Sequence, residues 1–357
     1  MINFSVGPVQ MDEKILKLAS EQIPYFRTAE FSELMKDNER LLKKFLNAED
    51  NTRVITLTGS GTAGMEASVM NLFTENDKLL VINGGSFGQR FCEICSIHRL
   101  EFTSVNVDFG KTLKKEELEK YNGKGYTAVL VNLHETSSGT LYDIDVIGDF
   151  AKRNGCFLLV DAISCFLGEK IDMQANNIDA VIIGSQKALA LAPGLCLIAL
   201  NEKAIERIRK NVIASLYFDF KNYLLDGERG QTPFTPAVGI ITALNKRLNM
   251  IDANGGTDAE IANVKTLAEY FRRNIKALPF EMFSEAPSYC CTSLRTAKGN
   301  ATEIFNMLKD EYGIFVCPNG GKYKDDVFRV GHIGCLTTFD YDVLISAFNE
   351  LAKRGII

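Results

Sequence analysis

Short apolar runs separated by longer amphipathic stretches fill the first part of the chain. RVITLTG, KLLVING, TAVLVNL, CFLLVDAI, AVIIGS and LCLIAL are nearly continuous in apolar residues. That is the pattern of strands buried on both faces of a parallel sheet. EFSELMKDNERLLKKFLNA and MEASVMNLFT carry their apolar residues at helical spacing instead. Strands alternating with helices predict an α/β architecture with a mostly parallel sheet flanked by helices. The alternation lapses between Gly194 and Thr235, where GERGQTPFTPAVG concentrates turn residues and reads as a functional loop. A helical stretch, VGIITALNKRLNMI, follows and breaks at Asn254-Gly255-Gly256, before the amphipathic DAEIANVKTLAEYFRRNIKAL. The remainder mixes strands and helices. The expected division is a large α/β domain over residues 15–256 and a smaller α+β domain made of residues 1–14 and 257–357.

Composition narrows the function classes. With 357 residues the chain has room for about two domains at roughly 100–200 residues each. A net charge of −5 leaves no basic surface for nucleic acid. No apolar run approaches the ~20 residues that span a bilayer. MINFSVGPVQMDEK lacks the basic and apolar regions of a secretory signal. Nine irregularly spaced cysteines fit reduced thiols, so a cytoplasmic protein is expected. Cys92 and Cys95 form a CxxC, but FGQRFCEICSIHRL reads as a helix. No second CxxC or His pair completes a zinc site, and no metal is expected.

Two kinds of motif carry chemistry. GSGTAG at Gly59–Gly64 follows a strand and opens a helix, so it matches the dinucleotide fingerprint. The acidic residue that should end the next strand is missing: LLVING ends at Asn83, and Asp77 precedes that strand. Backbone N–H groups at such a helix start still attract phosphate. The second signal lies at strand ends, where open α/β sheets bind ligands. Asp161 closes FLLVD, and Lys187 follows AVIIGSQ. A lysine among small and apolar residues has its pKa lowered by desolvation and is a Schiff-base candidate. An aspartate can keep a pyridine nitrogen protonated. Taken singly, Lys187 also reads as a surface lysine and Asp161 as a helix cap.

In order along the chain stand Gly7-Pro8, GSGTAGMEA, NGGSFGQR, ETSSG, VDAIS, GSQKALALAPG and FRVGHIG. Together they resemble the class V aminotransferases of pyridoxal-phosphate (PLP) fold type I. The similar branch holds alanine–glyoxylate, serine–pyruvate and 2-aminoethylphosphonate–pyruvate transaminases, and the resemblance covers nearly the whole chain. It implies ping-pong transfer of an amino group from a small donor of 2-aminoethylphosphonate, alanine or serine type to a 2-oxo acid such as pyruvate or glyoxylate. By this resemblance Lys187 would form the Schiff base and act as general base, and Asp161 would pair with the ring nitrogen. Phe87 would stack on the ring, and Thr136 would bond its phenolic oxygen. Ser60, Gly61 and Thr62 would bind the phosphate, with Gln186 as a further donor. Thr232 and Thr235 would reach the phosphate of a neighbouring subunit, which implies a homodimer with shared active sites. Arg329 would grip the substrate's acid group, with Gly7 and Arg27 as further substrate-binding candidates.

Two positions depart from the family pattern. His134 and Glu135 are adjacent where relatives separate the two by one residue, so His134 reads as a satisfied core or loop histidine. His332 stands where the 2-aminoethylphosphonate enzymes carry Asn, which speaks against a phosphonate donor. The alternatives are a desulfurase or lyase on the same fold and, from GSGTAG, an NAD-dependent oxidoreductase.

Overall fold

The computed structural model describes residues 1–357. Seven strands form the central sheet. In chain order they are β1 (Arg53–Thr58), β2 (Lys78–Asn83), β3 (Glu101–Asn106), β4 (Ala128–Asn132), β5 (Phe157–Asp161), β6 (Ala180–Gly184) and β7 (Leu195–Leu200). Their order across the sheet is β1-β7-β6-β5-β4-β2-β3. All neighbouring pairs are parallel except the two made by β7. Six of these strands are the apolar runs read from the sequence. β3, whose EFTSVN is half polar and half exposed, is the one that reading passed over.

Burial explains why the runs are continuous. Successive side chains of a strand point to opposite faces. Leu80, Ile82, Val129, Val131, Leu158 and Val160 enter one core, which the helices Ala29–Phe45, Ile144–Arg153 and Val238–Ala253 cover. Leu79, Val81, Ala128, Leu130, Phe157 and Leu159 enter the other, under Gly61–Leu72, Ser86–Ile97 and Glu202–Lys210. With both faces apolar, no alternation survives in the sequence. Cys92 and Cys95 are buried free thiols on the helix Ser86–Ile97. The stretch from Gly194 to Thr235 is richer than its sequence suggested. Beyond β7, already read as an apolar run, it holds the helices Glu202–Lys210 and Phe220–Glu228 and no further strand.

A third core surrounds a four-stranded antiparallel sheet ordered Phe280–Met282, Cys291–Thr296, Val327–Gly331 and Cys317–Pro318. The helix Gly256–Asn274 joins the modules, with Val264 in the first core and Leu267 and Phe271 in the third. The N-terminus crosses to this module: Ile2 pairs with Ile314 in parallel, and Gly331 N–H donates to the Phe4 carbonyl at 2.7 Å. No helix is long and apolar enough to cross a membrane.

Candidate active site

The C-terminal ends of β1, β2, β4, β5 and β6 share one edge of the sheet, and the candidate residues gather there. A cavity of about 210 Å³ is lined by Ser60, Gly61, Thr62, Phe87, Thr136, Asp161, Gln186 and Lys187, all expected from the sequence. Met65, Arg90, Asn132, Ile163 and Ser164 complete the wall.

Asp161 is 1% exposed. Its Oδ1 accepts from the Ile163 N–H at 2.9 Å and its Oδ2 from Asn132 Nδ2 at 2.9 Å. Burial outweighs both bonds and raises the carboxyl pKa to about 6. Lys187, 9% exposed, lies just beyond β6 and donates to the Val6 carbonyl at 2.8 Å. Burial lowers its ammonium pKa. Gly7 packs on the same side chain: a Cβ there would lie 2.6 Å from Lys187 Cδ and 2.9 Å from Nζ. With φ at +135° as well, position 7 admits only glycine without displacing the lysine.

The anion-facing wall is a helix start. Ser60 caps Gly61–Leu72, its Oγ accepting from Ala63 N–H at 3.4 Å. The N–H groups of Gly61 and Thr62 have no intrahelical partner. A Cβ on Gly61 would collide with the Ile163 side chain, so glycine lets this helix approach the turn after Asp161. Phe87 sits in the first turn of Ser86–Ile97. The buried Glu135 carboxylate holds that turn, accepting from Phe87 N–H at 3.2 Å, Gly88 N–H at 3.1 Å and Ser137 N–H at 3.2 Å. The Ser137 hydroxyl donates to it as well.

Arg329 arrives from the small sheet, 9% exposed. Nη1 donates to the Thr136 carbonyl at 2.7 Å and Nη2 to the Pro318 carbonyl at 2.9 Å. Its buried Nε has no partner. A guanidinium has five N–H donors, so three remain for an incoming acid. Thr136 Oγ1 lies 2.6 Å from Ser164 Oγ, which in turn is 3.1 Å from His134 Nδ1. His134 is neutral, its pKa driven to about 3 by burial, and its Nε2 faces Cys291 Sγ at 3.6 Å.

Of the expected residues, Gly7 and Arg329 touch lining residues without lining the cavity themselves, and three more lie elsewhere. The Arg27 Nη1 group donates to the Thr232 carbonyl at 2.9 Å and to Gln231 Oε1 at 3.2 Å. Thr232 spends its hydroxyl on the Phe234 carbonyl at 2.8 Å. Thr235 is exposed beside an apolar groove of about 560 Å³ lined by Met11, Ile15, Leu18 and Ile240. His332 also points elsewhere, into the small core between Tyr341 Oη at 2.8 Å and Thr292 Oγ1 at 2.7 Å. Asp77 belongs to no ribose site, because it pairs with Arg207 at 2.9 Å.

Sequence reasoning gave no role to Asn132, Glu135, Ser164 or Arg90. Asn132 carried a usable signal, a polar residue ending an apolar strand directly beside Asp161 in register. The others lay inside quoted motifs, but their partners come from elsewhere in the chain.

The donor set suits PLP. It combines a buried amine, a buried carboxylate, free N–H groups at a helix start and an aromatic wall, and it leaves Asn132 Oδ1 and Arg329 Nε orphaned.

Comparison with known proteins agrees. The sequence profile of the family described as aminotransferase class-V matches residues 23–322. An uncharacterized aminotransferase of Methanocaldococcus jannaschii is 33% identical over 92% of this chain and 86% of its own. The L-aspartate–glyoxylate aminotransferase of Paracoccus denitrificans is 26% identical over 94% of this chain and 86% of its own. Among solved structures, the subgroup IV aspartate aminotransferase of Thermus thermophilus superposes with a TM-score of 0.92 at 24% identity, over 99% of both chains. The chain belongs to the class V aminotransferases, transaminases of PLP fold type I that depend on pyridoxal phosphate.

Proposed function

We propose that this aminotransferase moves an amino group from a small amino acid, of alanine or serine type, to a short 2-oxo acid, with Lys187 as the cofactor lysine of a homodimer. The observation that carries the reading is the meeting of Lys187 and Asp161 in one cavity at the sheet edge, with Arg329 bonded to the Thr136 carbonyl of its wall and Gly7 closing over the lysine. Pyridoxal phosphate, when bound, supplies an aldehyde carbon for the amino group and a ring that draws electrons from the substrate carbon. Lys187 would hold that carbon, and its free Nζ would take the substrate's α-proton. Its lowered pKa suits the task, because a base must be deprotonated to accept a proton. Asp161 stays ionised beside the ring nitrogen. Ser60, Gly61 and Thr62 bind the phosphate, with Gln186 adding a donor. Thr136 would turn its hydroxyl from Ser164 Oγ to the ring oxygen, and Phe87 would cover the ring face. Arg329 takes the carboxylate.

The contact of Gly7 with Lys187 favours a short donor. His332, sealed in the core, offers nothing to a phosphonate. Half-reaction spectra of the bound cofactor against alanine, serine, glutamate and 2-aminoethylphosphonate test this directly. Alanine or serine should convert fastest; a preference for glutamate or the phosphonate overturns the donor assignment. Arg329→Lys keeps the charge but loses the planar fork. It should lower kcat/KM by on the order of tenfold or more for carboxylate donors, since each ~1.4 kcal/mol is tenfold. An unchanged kcat/KM removes Arg329 from the substrate site.

The position of the Gln231–Thr235 loop away from its own cavity supports the shared-site dimer, in which it serves the neighbouring subunit. Arg27 braces that loop from within the chain. A Lys187→Ala subunit mixed with a Thr232→Ala/Thr235→Ala subunit should regain activity that neither parent has, because one site of each mixed dimer is intact. No recovery, with mixed dimers demonstrated by mass, argues that each subunit works alone.

A further inference from the structure

Arg53, Arg207 and Arg247, all partly or fully buried, each hold a carboxylate. Arg90 lines the Lys187 cavity and is likewise half-buried, yet no carboxylate lies within ion-pair distance of it. Its side chain joins two elements of the cavity wall. The guanidinium carbon sits 4.8 Å from the centroid of the Phe87 ring, and Nη1 donates to Thr62 Oγ1 at 3.1 Å.

That hydrogen bond has a direction. A guanidinium only donates, so Arg90 occupies a lone pair of the Thr62 oxygen. The single Thr62 hydroxyl hydrogen must point elsewhere, and Thr62 donates to no acceptor within the chain. Beside it stand the unpartnered N–H groups of Gly61 and Thr62. The hydroxyl hydrogen and the helix start therefore form one donor set, and a fixed positive charge stands behind it. On the other side, a cation on the ring face restrains Phe87.

We propose that Arg90 is a positioning residue for the cofactor's phosphate: it turns the Thr62 hydroxyl into a fixed donor toward the anion and pins the Phe87 ring in the same motion. The proposal rests on the reading that this cavity takes pyridoxal phosphate at Lys187. It predicts selectivity for the phosphorylated cofactor over its unphosphorylated analogue, a property that a purely structural arginine would not govern.

The test is equilibrium dialysis of apo protein against pyridoxal phosphate and, separately, pyridoxal, for wild type, Arg90→Met and Arg90→Lys. Arg90→Met should raise the Kd for pyridoxal phosphate about tenfold or more, the scale of a lost charge-assisted bond. The Kd for pyridoxal should rise by a clearly smaller factor, the share lost with a looser Phe87 ring, because it has no phosphate to lose. Arg90→Lys, which restores the charge without the planar face, should recover part of the loss. Equal weakening toward both ligands would make Arg90 a support for Phe87 and the fold alone, and no weakening would give it no role. Either result overturns the proposal. Borohydride reduction of the wild type with pyridoxal phosphate tests the underlying reading separately, because a label on a lysine other than Lys187 defeats that reading whatever the Kd ratio.

Discussion

Lys187→Ala should abolish transamination, lowering kcat by on the order of 10⁴ or more, because on the proposed assignment one side chain would both hold the cofactor and move the proton. General acid–base catalysis alone accounts for roughly 10²–10⁴, and loss of the covalent anchor compounds it. Nζ lies at the sheet edge in the same cavity as Asp161, and alanine puts no nitrogen there. The substitution also takes the hydrogen-bond donor from the Val6 carbonyl, which costs about 1–3 kcal/mol if the oxygen stays dry. Circular dichroism and a melting curve should accompany the kinetics to show that the variant is folded. Borohydride reduction and peptide mapping should place the pyridoxyl group on Lys187 in the wild type and find no such label in the variant. Activity retained within tenfold of wild type by a folded variant would sink the assignment.

Asp161→Asn should separate stability from function. In the apo protein the carboxyl pKa stands at about 6, above the ~3.9 of an unfolded chain. Between those values the native state holds a proton that the unfolded state has released. Native stability therefore falls as pH rises through this window, and above it the wild type carries a penalty of roughly 3 kcal/mol. Asparagine carries no charge and escapes that penalty. Its hydrogen bonds can also be met: Oδ1 accepts from Ile163 N–H, and if Asn132 turns its amide over, the unpartnered Oδ1 of Asn132 accepts from the new NH₂ group. The apo variant should be more stable than apo wild type by about 2–3 kcal/mol above pH 6 and equal to it near pH 4. Transamination should fall by on the order of 10²–10³, the usual effect of removing a group that stabilises charge in the transition state. Urea melts at pH 4 and 7.5 check the first half and single-turnover rates the second. A variant less stable at pH 7.5 would contradict the burial argument, and undiminished turnover would remove Asp161 from the mechanism.

The same physics decided what could be read from the chain. Asp161 and Lys187 were legible because each interrupts or follows a continuous apolar run, where a charge needs a reason. The glycines at 59, 61 and 64 were legible as a tight strand–helix turn, but the motif alone could not tell a dinucleotide from another phosphate. Two facts dispose of the dinucleotide: Asp77 is spent on Arg207, and the family match covers residues 23–322. β3 was missed because an edge strand is half solvated and keeps polar residues. The reversed direction of β7 was invisible, since a buried strand reads the same either way. Glu135 and Ser164 were hidden differently: each gains its meaning from partners such as Phe87 and His134, far away in sequence. The division into 15–256 and, as one small domain, 1–14 with 257–357 remains our proposal. Gly255, left-handed at φ +102°, and the helix it caps mark a natural joint, although that helix packs into both the first and the third core.

The N-terminal crossing has a consequence for how the protein is made. Phe4 receives its backbone partner from Gly331, and Ile2 pairs with Ile314. The Val6 carbonyl that holds Lys187 lies on the same short segment. A ribosome adding roughly 5–20 residues per second takes about 15–65 s to travel from residue 4 to residue 331. Throughout that time Ile2 and Phe4 lack their strand partners, while the seven-stranded sheet can already assemble and receive Val6 and Val9 at Lys187 and Gln186. The bonds that tie Ile2 and Phe4 to the small sheet thus form only when translation is nearly complete, after the cover of Lys187 can already be in place.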